Sequence, residues 1–412
     1  MRLLEEARRD VLAAATPLPI VEVNLDEALQ LALAVDVVAS HNVPRFTNSA
    51  MDGYAVRAVD TSRAPVRLKV LEDVAAGHVA TASVEPGTAI KVMTGAPIPD
   101  GADSVVKVED TNQIADDVSI NVAVDRGTAI RLAGGDLVAG STVFQAGDTL
   151  TPTHLAVLAS LGVGHPMVRR RPIVAVLSTG DEVVGVDAET LSPSQIRDTN
   201  RPLLKGLLAE VGATVLDLGI VGDDARELRH RIEQGASQAD AVITSGGVSM
   251  GEYDLVKQIL GELGSVEFWK VAMQPAKPFA FGNVAGTPLF GLPGNPVSVM
   301  VAFEQFARPA LLKMMGHRAL FRPRVTGRLM GGVLTDPAKT VFSRVVATFV
   351  DGGWEARLVG EQASNVLSAL AIGNAFAVVP LGQAEVVDGG AVELEMFRWP
   401  SIRTFEEVAD GQ

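Results

Sequence analysis

Apolar and polar positions along this chain follow two different periods, and the changes of period divide it. In MRLLEEARRDVLAAA apolar residues recur at helical spacing, and Leu25, Ala28, Leu29, Ala32 and Leu33 continue it, so residues 1 to about 45 are expected to be helical. From Pro44 to about Leu150, short Val-rich runs are broken by turn signals such as Asp52-Gly53, Glu85-Pro86-Gly87, Asp100-Gly101 and Gly134-Gly135, which predicts an all-β segment. Helical spacing returns from Pro152 to Leu161, so the β segment reads as an insertion. Between 172 and 316 the apolar runs IVAVLS, ATVLDLGI and AVITSGG are separated by helical stretches, from Arg201 to Val211 and from Asp223 to Gln234. That alternation implies βαβ units and a parallel sheet. A helix from about Asn295 to Met315 closes the region, with Gly316 placed to end it. From Arg322 on, short Val- and Gly-rich strands predict a small β domain.

At 412 residues, with 47% hydrophobic and 20% charged positions, the chain has the profile of a folded protein of several domains. Its 35 basic and 49 acidic side chains leave a net charge of -14, which argues against nucleic-acid and anionic-membrane partners. An anionic small molecule can bind only where backbone N–H groups, a few Lys or Arg, or a metal reverse the local field. There is no cysteine, so disulfides, thiolate zinc sites, iron–sulfur clusters and a Cys nucleophile are excluded, and any sulfur chemistry must arrive with the substrate. The N-terminus carries acids where a signal peptide needs bases, and no apolar run approaches the ~20 residues of a membrane span. A cytoplasmic protein is expected.

Ligands of an open parallel sheet bind beyond the carboxyl ends of its strands. Here those ends are polar: Ser178-Thr179-Gly180-Asp181-Glu182, Gly222-Asp223-Asp224, and Thr244 to Asp254, TSGGVSMGEYD. Gln274-Pro275-Ala276-Lys277-Pro278 and Leu292-Pro293-Gly294-Asn295-Pro296 follow. Singly, Asp223-Asp224 and Asp198 to Asn200 read as helix N-caps, and Asn295-Pro296 as a cap and first helical residue. Together they read as an anion site. Gly246-Gly247 lets backbone approach a phosphate, Ser245 and Ser249 offer hydroxyls, Lys277 offers charge, and carboxylates such as Glu252 and Asp254 beside a phosphate suit Mg²⁺. Gly247 to Gly251 also fits the G-x-S-x-G nucleophile elbow, but only His317 follows Ser249, so a hydrolase is disfavoured.

The combination Ser49-Ala50-Met51-Asp52-Gly53-Tyr54-Ala55, Met93-Thr94-Gly95-Ala96-Pro97, Ser178 to Glu182, Ser245-Gly246-Gly247-Val248-Ser249 and Leu292 to Pro296 resembles the molybdopterin molybdenumtransferase family (MoeA, related to the E domain of gephyrin and its plant counterpart). The motifs stand in the family's order over nearly the whole chain. The resemblance implies an α/β multidomain protein. It would have a central three-layer αβα parallel-sheet domain (171–320), an inserted all-β domain (46–140), a helical/linker domain (1–45 and 141–170) and a C-terminal β-barrel domain (321–412). It also implies a homodimer with a site shared between subunits, and transfer of molybdenum from molybdate to adenylyl-molybdopterin with Mg²⁺ and release of AMP. Molybdopterin adenylyltransferase and molybdoenzymes are the protein partners it suggests. By motif, Glu182, Asp223, Asp254 and Lys277 line the site, with Glu182 and Asp254 for metal or an orienting role toward water. Ser178, Thr179, Gly180 and Gln274 bind substrate, and Pro293 and Pro296 shape the wall. Asp52, Thr94 and Asp136 come from the β segment, and Arg344 and Ser364 match positions of oxyanion binding. Many members have glycine where this chain has Ala276, and some have lysine where it has Gln274. The βαβ region alone also resembles molybdopterin adenylyltransferase, and a non-catalytic dimeric scaffold shares the fold.

Overall fold

The structure, a computed structural model, describes residues 1–247 and 255–400. The chain falls into two compact units, one of Met1–Val21, Gln30–Ala34 and the chain from Met167 on, the other of Glu22–Leu29 and Val35–Pro166. The second unit is built on six strands in the spatial order Ser104–Lys107, Gly53–Val56, Thr88–Val92, Val66–Val74, Asp117–Ile120, Thr111–Ile114. Successive side chains leave opposite faces, and both faces are covered. Tyr54, Val56, Leu68 and Ile120 form one core, and Ala55, Ile90, Val92 and Val105 the other. At Gly53 the strands approach so closely that a Cβ would lie 2.0 Å from the Val106 carbonyl oxygen. The expected helix forms over Pro152–Ser160, with Thr151 accepting a hydrogen bond from the His154 N–H and Pro152 in the first turn, where no N–H is needed.

The helix expected through Leu25, Ala28, Leu29, Ala32 and Leu33 does not form. A single 3-10 turn, Leu25–Glu27, is followed by Gln30 at φ 65°, a left-handed conformation no helix passes through. Leu31, Ala32 and Leu33 are then buried in succession, a pattern of a buried connection and not of one helical face. The helix Leu4–Ala14 does form and buries Leu4, Ala7 and Val11 in the core of the first unit.

That core surrounds a six-stranded sheet in the order Thr214–Val221, Ile173–Thr179, Ala241–Ser245, Thr287–Leu292, Pro278–Val284, Gly264–Lys270. The first four strands are parallel, as the βαβ pattern predicts. Pro278–Val284 alone runs against the others, antiparallel to both its neighbours, because the two-residue turn Ala285-Gly286, both at positive φ, joins it to Thr287–Leu292. Val174, Val176 and Ile243 face the helix Asn200–Val211 and the segment from Pro296. Ala175, Leu177 and Val242 face Leu228 and Ile232 of Ala225–Gln238, so the three layers are helix, sheet, helix. Each fully buried aliphatic side chain contributes about 1.5–3 kcal/mol to this packing.

The long helix expected from Asn295 is interrupted. Pro309 has no N–H for the carbonyl four residues earlier, and the backbone widens into a π turn, Phe303–Ala307, between Pro296–Ala302 and Arg308–Met314. Gly316 at φ 80° ends it. Beyond, five strands close into a barrel. Arg324–Met330 pairs with Gly353–Leu358 and Gly390–Met396, Thr340–Val350 with Gly353–Leu358 and Ala375–Val379, and Ala375–Val379 with Gly390–Met396. Val345, Ala356, Ala377 and Leu394 fill its interior.

His317, just past that helix end, is buried. Burial and then the neighbouring Arg308 charge push its pKa down to about 4. A base whose folded pKa is depressed stabilises fully above its ordinary value and loses that contribution as pH falls between the two. Wild type is therefore expected to lose on the order of 3 kcal/mol between pH 7 and pH 4 relative to His317→Gln. Unfolding free energies of both proteins across that range check this, and parallel pH profiles would refute it.

Candidate active site

In the parallel part of the sheet, Ser178 is in register with Ser245, and Ser245 with Leu292, so three loops leave the strands at one level. They bring Ser178, Thr179, Glu182, Ser245, Gly246, Gly294, Asn295 and Pro296 to the wall of one cleft of about 540 Å³. Arg197, Asn200 and Leu367 complete other parts of that wall. Gly180 sits at the turn behind Glu182, at φ 131°, and its N–H donates to the Val221 carbonyl at 3.1 Å.

Gly246 and Gly247 have φ 94° and 66°, a left-handed pair that turns the chain sharply out of the strand. The Gly246 N–H donates to the Leu292 carbonyl at 3.1 Å, and a Cβ at 246 would lie 2.7 Å from the Thr179 carbonyl oxygen. The hydroxyls of Ser178 and Ser245 are only 2% and 3% exposed by residue and have no hydrogen-bond partner among the described residues. A buried hydroxyl left without a partner costs free energy.

Of the paired acids after the second strand, Asp224 is the cap: it accepts from the Arg226 and Glu227 N–H groups at 2.8 and 3.0 Å. Asp223 is free of that role. Its own N–H donates to Asp181 at 2.8 Å, and its carboxyl is pushed above the usual aspartate range, first by desolvation and then by the charges of Asp181 and Glu182. Asp198 takes the capping role read for it, accepting from the Asn200 and Arg201 N–H groups. Ser249, Glu252 and Asp254 lie outside the described residues. Among the described residues no three His, Asp or Glu side chains converge as a metal site.

A second, smaller cavity of about 310 Å³ adjoins the first. Gln274, Lys277, Pro293, Ser364 and Lys339 line it, and Asn295 lines both. Asn295 was readable as a helix cap. Its side chain makes no capping bond and instead donates to the Ser364 hydroxyl at 3.0 Å. Ala276 adopts φ 68° with its methyl buried, so this chain holds in alanine a left-handed turn better suited to glycine. Arg344 does not line the cavity. It is fully buried and donates to the carbonyls of Glu361 and Ala363 at 2.6 and 3.2 Å, which holds the turn that carries Ser364.

In the other unit, Asp52 accepts from the Thr94 N–H and hydroxyl at 2.7 and 2.9 Å. The Thr94 N–H, followed by its hydroxyl, holds the Asp52 carboxyl below the usual range. Asp136 is exposed on a turn anchored by its N–H to the Val43 carbonyl. Asn200, read in the sequence only as part of a capping run, donates its amide to the Gly294 carbonyl at 2.6 Å and ties two cleft loops together. Sequence reasoning missed Lys339, which stands in no local pattern that marks it.

Three family models match. The MoeA N-terminal region (domain I and II) matches residues 2–162, a probable molybdopterin binding domain residues 175–313, and the MoeA C-terminal region (domain IV) residues 326–397. Molybdopterin molybdenumtransferase 2 of Mycobacterium tuberculosis is 39% identical over 404 residues, covering 96% of this chain and 99% of the relative. Molybdopterin molybdenumtransferase of Haemophilus influenzae is 37% identical over 401 residues, 96% and 99% of the two chains. The crystal structure of the molybdopterin biosynthesis moeA protein from Pyrococcus horikoshii superposes with a TM-score of 0.84 at 28% identity, covering 96% of this chain and 100% of that one. With the loops of three parallel strands on one cleft, a closed C-terminal barrel, and family models and relatives that match along nearly the whole chain, the chain belongs to the MoeA family of molybdopterin molybdenumtransferases.

Proposed function

We propose that this enzyme transfers molybdenum from molybdate to adenylyl-molybdopterin, releasing AMP and the finished cofactor. The observation that carries the reading is the pair of adjoining cavities joined at Asn295. The larger suits a nucleotide–pterin phosphoanhydride: two serine hydroxyls without partners among the described residues, and a glycine turn, offer donors to phosphate oxygens. The smaller carries two ammonium groups and a serine hydroxyl, which suits a compact dianion such as molybdate. The cysteine-free chain leaves the dithiolene sulfur to the substrate.

Mg²⁺ fits the donor set, which is oxygen only. After desolvation, the charges of Asp181 and Glu182 help raise the Asp223 carboxyl, and a cation beside them would relieve that part. Glu182 and Asp254 would hold it, and bound there it would neutralise charge developing on the phosphoanhydride. The chain's own residues position the reaction. Ser178, Thr179, Ser245, Ser249 and the Gly247 N–H orient the phosphates, Gly180 and Gly246 shape the loops that carry them, and Asp223 orients water. Lys277, Gln274 and Ser364 hold the oxyanion, Pro293 and Pro296 wall the site, and Arg344 fixes the Ser364 turn. In a homodimer, Asp52, Thr94 and Asp136 of the second copy complete the site. A cytoplasmic setting, with molybdopterin adenylyltransferase supplying the substrate and apo-molybdoenzymes taking the product, belongs to the same reading.

The test is AMP release from adenylyl-molybdopterin by purified protein with Mg²⁺, with and without molybdate. Molybdate-dependent release is expected, and Asp254→Ala is expected to remove it. Consumption of ATP with free molybdopterin would assign the adenylyltransferase step instead, and tight substrate binding without turnover would assign a scaffold.

A further inference from the structure

We propose that Lys339, from the barrel, supplies the second positive charge of the small cavity, in place of a charge that Gln274 does not carry. The inference rests on reading that cavity as the oxyanion site. One wall is the loop from Gln274 to Pro278, which brings a single cation, Lys277, and the opposite wall brings Lys339. The Lys339 ammonium lies 3.5 Å from the Gln274 side-chain oxygen, so it stands where the head of residue 274 ends.

Its placement is built in. Met273–Gln274 pairs in parallel with Thr340 and Val341, and the Thr340 N–H donates to the Ala272 carbonyl at 2.9 Å, so the backbone beside Lys339 is bonded to the backbone of the opposite wall. The side chain is only 20% exposed, and its ammonium is 2.7 Å from an Asp336 carboxylate oxygen. That carboxylate is held below its usual range, first by Lys339 and more weakly by Lys277, so both ammonium groups act on one small volume. The Asp336 carboxylate orients the Lys339 ammonium, and a dianion entering the cavity meets ammonium groups from two different parts of the fold.

The test is equilibrium binding of molybdate alone to the full chain and to four variants: Lys339→Ala, Lys339→Gln, Lys277→Ala, and Gln274→Lys combined with Lys339→Ala. Thermal unfolding confirms that each variant is folded. Both Lys339 variants are expected to raise Kd about 10- to 100-fold, and the added lysine at 274 to restore most of the loss. Wild-type affinity in both Lys339 variants, alongside weakened binding in Lys277→Ala, would overturn the role of Lys339 and leave the oxyanion site standing. Failure of the 274 lysine to restore binding would also overturn it, because the loss would then not be one of charge. Absence of molybdate binding in wild type would remove the oxyanion reading itself.

Discussion

Gly246→Ala is expected to lower AMP release about 100-fold while leaving the fold intact, because displacement of positioning groups by an ångström costs about that much. Two independent strains meet at this position. The backbone sits at φ 94°, where an L side chain costs about 1–2 kcal/mol. The added methyl would also lie 2.7 Å from the Thr179 carbonyl and 2.9 Å from its hydroxyl, both fixed in the neighbouring strand. The strand cannot yield, since Thr179 is paired with Val221 and buried, so the loop must move. Movement breaks the Gly246 bond to Leu292 and displaces Ser245, one of the two hydroxyls offered to the ligand. Turnover and melting temperature measured together check this. Activity within a few-fold of wild type would mean the glycine turn does not position substrate.

Glu304→Ala is expected to destabilise the protein by about 3–5 kcal/mol, the usual consequence of removing one partner from a buried ion pair. Glu304 is 2% exposed and accepts two hydrogen bonds from Arg322, both at 2.9 Å, while the Arg308 guanidinium lies 3.7 Å away. Removing the carboxylate leaves two guanidinium groups in a low-dielectric pocket, with Glu210, at 3.1 Å from Arg322, and the charge of Glu395 as the remaining counterweight. Arg322→Met in the same background is expected to recover part of the loss by removing one stranded charge. Chemical denaturation of the single and double variants measures both effects, and a cost below about 1 kcal/mol for the single change would place Glu304 among weakly coupled surface pairs.

Much of the central domain is legible in the sequence because its strands are apolar on both faces and stop at polar, glycine-containing loops. Ile173–Thr179 and Ala241–Ser245 follow this rule and the loops beyond them line one cleft, while Thr214–Val221, at the sheet edge, carries the exposed Asp217. The antiparallel hairpin is less legible, since its turn is the unremarkable pair Ala285-Gly286 and its strands look like the parallel ones. Between Leu25 and Leu33 helical spacing misleads because burial there is set by tertiary packing and Gln30 turns the chain. Asn295 shows how one residue type serves two roles: before a proline it looks like a cap, yet its amide is turned toward Ser364, 69 positions away. Lys339 and Gln274, 65 positions apart, meet only through strand pairing, which no local pattern records. The Thr94 contact that holds Asp52 is likewise set by how the second unit's loops meet, although both residues stand in motifs a reader can find.

The closed barrel also sets an order on synthesis. Arg324–Met330 is the first of its strands to be made, and one of its two partners, Gly390–Met396, is the last. The ring is therefore incomplete until Met396 has left the ribosome. A chain ending short of Gly390 would present two bare strand rims, those of Arg324–Met330 and Ala375–Val379, to every other nascent chain nearby.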